Sequence, residues 1–301
     1  MPAGMTTSKP AGESHAFVYA VLVLQSCLAS GTHLVAKVVV RDVDAFTLTL
    51  VRSVIAMLAV GLLLVARWKP LRVRREDYRL IFFLSFLCIP VNQFLFLLGM
   101  RFTIPSNAAL LYATTPIIVL LFSRWLLGER LTPRKVAGVV LGLAGVTIVI
   151  FERGVSSGME HILGNVIIFI AVLAWGLYTV YGKRLIATYG AIEASSLTLI
   201  IGTLLFIPIG ILPTIQFPFS TLTTSNWGQI LYLSILTSVM SYVLWYYALG
   251  RIEAGKAALF ANLQPILTTL LAVVLLGQGV TGAFIVGGTI AILGVAIAQY
   301  G

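Results

Sequence analysis

Runs of about 20 apolar residues, each closed by a turn or charge signal, follow one another along almost the whole chain. Ten can be drawn: 17–38, 45–67, 79–99, 105–127, 133–151, 163–185, 191–213, 227–249, 255–276 and 280–299. At 1.5 Å per residue, about 20 residues of helix cross a hydrocarbon core ~30 Å thick. Backbone N–H and C=O groups find no water at that depth, so each run is predicted to be an α-helix. The connections are short, which makes successive helices antiparallel neighbours. The longest connections are 68–78, 152–162 and 214–226, and the second divides the ten runs into two sets of five.

Inside this pattern the stretch 108–148 returns without a gap as 257–297, 149 residues later, with 14 identities in 41 positions. Pro116/Pro265, Gly128/Gly277, Gly138/Gly287 and Gly145/Gly294 all fall in register, which apolar composition alone would not produce. Five is an odd number, so a second five-helix unit must insert upside down relative to the first. The predicted fold class is therefore an all-α polytopic membrane protein of ten transmembrane helices in two five-helix inverted-topology repeats. The expected boundaries are a disordered cytoplasmic tail at 1–16, a first repeat at 17–155 and a second at 156–301.

Composition agrees with a bilayer. Only 10% of residues are charged and 59% are hydrophobic, against roughly 25% charged in soluble domains. The net charge of +10 is explained by where the cations fall rather than by a nucleic-acid partner, and none is expected. Fifteen Lys and Arg lie on one side of the ten runs and 4 (Lys37, Arg41, Arg101, Arg153) on the other, with Arg52 inside a run. That bias predicts a multi-pass protein of the cell (inner, cytoplasmic) membrane with both termini in the cytoplasm. The first run is too long for a signal-peptide core and has no small-residue cleavage site after it. Cys27 and Cys88 lie in apolar runs and are expected to be reduced core residues.

Several short motifs accompany the pattern. Ala29-Ser30-Gly31 with Lys37, and Ala174-Trp175-Gly176 with Lys183, mark the first helix of each half. Ala108-Ala109 to Pro116 is followed by Gly128-Glu129-Arg130-Leu131-Thr132; the second copy departs from this as Gly277-Gln278-Gly279-Val280-Thr281, without the acid. In these features the chain resembles the drug/metabolite transporter superfamily, in its EamA-type branch, over nearly its whole length. Within that branch it looks most like the YddG-type amino-acid exporters. The resemblance implies a central cavity lined by helices 1–4 and 6–9, with helices 5 and 10 peripheral.

The residues themselves offer a site. Amides and hydroxyls that face lipid are costly, so those near mid-span should turn inward, and Trp175 and Tyr178 at that depth suit an amphipathic solute with an apolar side chain. The candidate substrate-binding residues are His33, Asn92, Gln93, Tyr112, Thr115, Trp175, Tyr178, Tyr242, Asn262 and Gln264. On the ninth run, Ala258, Asn262, Pro265 and Thr269 share a face by α-helical spacing. Interhelical hydrogen bonding is the alternative fate of each polar group, and interfacial belts account for Trp68, Trp125 and Trp227. Pro116 and Pro265 sit mid-run in matched positions. Each is either a packing kink or a hinge at the edge of a binding site, and the matching favours the hinge. Arg52 is expected to snorkel or to pair with an acid such as Asp44. Gly138, Gly142 and Gly145, with Gly287, Ala291 and Gly294, predict close-packing seams on runs 5 and 10, within a monomer or across a homodimer.

No catalytic residue, cofactor or metal site is expected. The chain carries no His-Glu-x-x-His, no paired Asp and no Gly-x-Ser-x-Gly, which argues against an intramembrane enzyme. A non-transporting scaffold or sensor is the rival from another class. The leading reading is a secondary transporter that exports small zwitterionic metabolites, amino acids including aromatic ones first among them, by alternating access at a central cavity. Other amphipathic metabolites or drugs are the alternative cargo. All ten acids fall in loops or at run ends, so facilitated export, or coupling through His33, is expected.

Overall fold

The structure is a computed structural model that describes residues 15–67, 72–152, 159–267, 270 and 281–299. Most of the expected tail, Trp68, Arg153, Thr269 and the Gly277–Gln278 turn lie outside the described residues. Within them every regular element is helical. Among the described residues, eight helical stretches are long and apolar enough to cross a membrane: His15–Asp42, Ala45–Ala66, Arg75–Phe102, Asn107–Leu127, His161–Tyr189, Ala191–Gln216, Thr224–Leu249 and Gly282–Gln299. The chain is thus an all-helical polytopic membrane protein.

Several of these stretches are broken, and the breaks lie near the middle of the molecule. The first consists of α1 (His15–Ser30) and α2 (Thr32–Asp42), meeting at Gly31. After α3 (Ala45–Ala66) comes α4 (Tyr78–Phe86), then a π-helical segment Leu87–Gln93, then α5 (Phe94–Phe102). Pro90, which has no N–H for an ordinary ladder, falls inside the π segment. Next, α6 (Pro105–Ala113) stops at Thr114, and α7 (Thr115–Phe122) begins there with Pro116 in its first turn, where a missing donor is harmless. Pro116 therefore starts a new helix after a break rather than bending a continuous one.

The sequence continues with α8 (Pro133–Glu152), α9 (Met159–Tyr189) and α10 (Ala191–Gln216). Beyond it, α11 (Thr224–Leu231) passes through a second long π segment, Tyr232–Met240, into α12 (Ser241–Leu249), a shorter π turn, Ser123–Leu127, having followed α7. Then α13 (Ala254–Ala258) tightens to a 3-10 turn at Leu259–Asn262, ahead of Pro265, and α14 (Gly282–Gln299) ends the described chain.

Burial is inverted relative to a water-soluble protein. Leu62, Val65, Leu212 and Ile215 are 65 to 73% exposed, while Ser26, Ser30, Thr49, Ser85, Thr198 and Ser234 are fully buried. An apolar exterior suits hydrocarbon, and most of these inward hydroxyls find backbone carbonyls, Ser85 being the exception. Thr49 donates to Ala45 O at 2.6 Å and Ser234 to Ile230 O at 2.7 Å. The two cysteines diverge from the expectation of a shared core, since Cys88 is buried and Cys27 is exposed.

The glycine faces of the fifth and tenth runs meet each other inside the chain. A methyl group added at Gly138 would lie 2.6 Å from Gly294 O, and one at Gly287 would lie 2.6 Å from Gly145 O. Adding 149 to Gly138 and subtracting it from Gly294 turns the first contact into the second. The motif lysines make comparable contacts, although Lys183 stands 146 rather than 149 residues after Lys37. Lys37 donates to Met100 O (2.8 Å) and Thr103 O (2.7 Å), capping the end of α5. Lys183 donates to Ile252 O (2.9 Å), and Ile252 stands 149 residues after Thr103. Lys183 also pairs with Glu129 at 3.3 Å, whose carboxylate accepts from the N–H groups of Ala254 and Gly255 (3.0 and 3.3 Å).

Backbone atoms line the seam between α8 and α14, so neither helix can yield to a larger side chain. Gly145→Val should lower the melting temperature of the detergent-purified protein by about 2–8 °C, from roughly 1–3 kcal/mol of overpacking. Gly61→Ala, where an added methyl group meets nothing beyond its own helix within 4 Å, should not lower it.

Candidate functional site

A central cavity of about 100 Å³ lies where the broken helices converge. Its walls come from α1 and α2 (Gln25, Ala29, Thr32, His33), α3 (Arg52), the first π segment and α5 (Asn92, Gln93, Phe96), and α6 and α7 (Tyr112, Thr115). The remaining walls come from α9 (Trp175), the second π segment and α12 (Thr237, Ser241, Tyr242, Trp245), and the turn before Pro265 (Ala261, Gln264). The helical breaks are what bring side chains here. A π turn takes one residue more than an α turn and re-aims the side chains beyond it.

Eight of the ten residues singled out from the sequence line this cavity: His33, Asn92, Gln93, Tyr112, Thr115, Trp175, Tyr242 and Gln264. Tyr178 and Asn262 do not. Tyr178 stands behind Trp175, stacked on it at 5.6 Å and on Tyr246 at 5.0 Å, with its hydroxyl 2.9 Å from Thr198 Oγ1. Asn262 is fully buried against Gly142 of α8. It closes a 3-10 turn of three residues per turn, so the α-helical spacing used to assign its face does not hold there.

Two aromatic walls face the space. Trp175 meets Tyr242 edge to face at 5.2 Å and lies 5.6 Å from Trp245. Across from them His33, Phe96 and Tyr112 pack as a triad, with each pair of centroids 5.4 to 5.6 Å apart. Asn92 ties the walls together. Its Nδ2 donates to Ala171 O (2.8 Å) and Tyr112 OH (3.1 Å), and its Oδ1 accepts from Tyr242 OH (3.3 Å). One amide thus joins elements before and after the division between the two sets of runs.

Arg52 corrects an expectation. It neither snorkels nor pairs with Asp44, whose carboxylate caps α3 by accepting from Phe46 N and Thr47 N at 3.0 Å. Instead Arg52 is buried in the cavity wall. Its Nη2 donates to Leu233 O (3.1 Å), Thr237 Oγ1 (3.1 Å) and Ser238 Oγ (2.8 Å), all in the second π segment. Gln25 also goes beyond the residues picked from the sequence, and its Nε2 donates to Ser241 Oγ at 2.8 Å. No Asp or Glu among the described residues lines the cavity. Nothing in the sequence marked Gln25 as more than a polar break in an apolar run; its inward direction comes from the helix packing.

Arranged around such a cavity, the chain falls in the class of multi-pass membrane transporters. The model of the EamA-like transporter family matches residues 16–151 and again 162–300, and the chain belongs to that family. It is similar to the uncharacterised transporter YetK of Bacillus subtilis (strain 168), 26% identical over 86% of this chain and 80% of the relative. An uncharacterised transporter of Archaeoglobus fulgidus is 28% identical over 91% of this chain and 94% of its own. A protein of Streptantibioticus cattleyicolor named as a probable terminal-alkyne amino-acid exporter is 27% identical over 63% of this chain and 62% of its own. A solved crystal structure shares the fold at a TM-score of 0.79, with 24% identity, covering 95% of this chain and 98% of that one.

Asn92→Ala would leave two tyrosine hydroxyls and one carbonyl without their partner. The expected outcome is a loss of about 1–2 kcal/mol in stability, read as a lower thermal midpoint, because interhelical bonds in membranes are individually modest. A midpoint equal to that of the unaltered protein would show that the amide does not join the walls.

Proposed function

We propose that the protein is a secondary transporter of the cytoplasmic membrane that exports small zwitterionic metabolites, amino acids including aromatic ones first, by alternating access. In this reading it spans the membrane ten times as two inverted five-helix halves, with both termini in the cytoplasm. The observation that carries it is one cavity walled by aromatic rings, amides and hydroxyls from both halves, with no acid among the described lining residues. A lipophilic cation would call for a carboxylate there, and a polyphosphate for several cations.

The paired contacts that interchange on a shift of 149 residues support two related halves, as does the double match of the family model. The excess of Lys and Arg on one side supports the orientation. The name of the Streptantibioticus relative supports amino acids as cargo. The helical breaks at Thr114 and at Leu259–Asn262, each just ahead of a matched proline, are where the two halves would bend. Movement down the gradient of the solute fits a cavity without a carboxylate relay.

The test is counterflow in proteoliposomes with a panel of labelled amino acids. Exchange of at least one aromatic amino acid is expected. Trp175→Ala should reduce its rate tenfold or more, since stacking against an aromatic cargo is worth roughly 1–3 kcal/mol by analogy with base stacking. Asn262→Ala, away from the cavity, should retain most of the rate. A panel without any exchange would overturn the reading. In intact cells, reporters fused to either end should both report the cytoplasm, and an outer-surface signal at the far end would break the inverted arrangement.

A further inference from the structure

We propose that Arg52 is the carboxylate-binding group of the central cavity, so that the cargo must carry one free carboxylate. The proposal rests on the reading of that cavity as the transport site and adds a chemical requirement to it. Arg52 is 3% exposed and lies within a membrane-spanning stretch. A guanidinium stays protonated in proteins, so a full positive charge is held there. None of its three acceptors, Leu233 O, Thr237 Oγ1 and Ser238 Oγ, carries a charge. Among the described residues no acid lies within ion-pair distance of it.

A buried cation without an anion is a costly state, and in a bilayer such groups mark solute pathways. Here the cost is tolerated because the π segment presents a carbonyl and two hydroxyls to one edge of the guanidinium. All three bonds fall on Nη2, while Nε has no partner. The guanidinium is therefore fixed in place but not neutralised. Four other lining residues carry unmatched buried groups as well: Gln93 at Nε2, Thr115 at Oγ1, Gln25 at Oε1 and His33 at Nδ1. Of these, the Gln93 N–H and the Thr115 O–H, lining the same cavity as one fixed charge, complement a single carboxylate, whose oxygens accept several hydrogen bonds. The same arrangement disfavours a cation lacking an acid, which would meet like charge at close range. It also falls short of a phosphate dianion, for which one guanidinium supplies half the charge.

The experiment uses the full-length protein in detergent, read by intrinsic fluorescence from Trp175 and Trp245 at the cavity. Four probes share one aromatic body: phenylalanine, 3-phenylpropionate, phenylalaninamide and 2-phenylethylamine. Phenylalanine and 3-phenylpropionate should bind at least about tenfold more tightly than the amide and the amine, since a site built for a polar group rejects analogues without it. Arg52→Gln should abolish that preference, and Arg52→Lys, which keeps the charge, should retain part of it. The comparison within the unaltered protein decides the matter even if Arg52→Gln does not fold. Equal binding of all four probes, no binding by either acid, or an unchanged preference in a folded Arg52→Gln protein would each overturn the proposal. Binding of 3-phenylpropionate without exchange of any amino acid would retain the anchor and remove the amino-acid reading. Exchange of phenylalanine with equal binding of phenylalaninamide would do the reverse.

Discussion

In a hydrocarbon interior no water is at hand to replace a missing hydrogen bond, so each polar group placed there must find its partner within the chain. Most of this structure can be read as a response to that demand. Hydroxyls such as those of Thr49 and Ser234 bond back to carbonyls of their own helices. Lysines near helix ends cap carbonyls of neighbouring helices. Several of the groups not met so readily line one central space, while others, such as the Asn262 amide, stay buried outside it. In the central space Asn92 joins three walls at once, and the guanidinium of Arg52 is held by a segment whose wider turns free a carbonyl for side-chain donors.

The irregular segments are therefore part of the site. Leu87–Gln93 and Tyr232–Met240 carry Asn92, Gln93 and Thr237 into the cavity, while the break at Thr114 aims Tyr112 and Thr115 there. Regular α-helices through the same positions would have turned some of these side chains elsewhere. The same irregularities weaken the helical ladder at mid-depth, where a carrier has to bend. The periphery is built the opposite way. The α8–α14 seam brings two backbones so close that no added methyl group fits, and such a seam moves as one body. In the alternating access proposed above, a stiff pair beside a broken-helix centre would be the physical basis for rocking about a solute.

Much of the site is legible in the residue types because the same demand acts on them as well as on folds. A Trp, Asn or Gln far from either end of a long apolar run has few tolerable environments, and Trp175, Asn92, Gln93 and Gln264 do turn inward. The departures have particular causes. Helical phase puts Asn262 on the cavity face, but it closes a 3-10 turn, which rotates roughly 20° more per residue than an α-helix. Tyr178 shares a face with Trp175 one turn away, and the larger ring covers it. Asp44 is the acid nearest Arg52 in sequence, yet it is consumed by the start of its own helix.

Sequence alone determined the apolar runs, the internal repeat and the family, because bilayer thickness and the penalty on buried polarity act on each run locally. It determined as well that polar and aromatic chemistry would gather at mid-depth. Only the tertiary structure decided which groups share a wall and which charge stands without a counter-charge. Those outcomes depend on contacts between helices distant in the chain, such as Arg52 with Ser238 and Asn92 with Tyr242. They also depend on local departures from α-helical phase, and periodicity, which assumes a constant phase, has no means of expressing them.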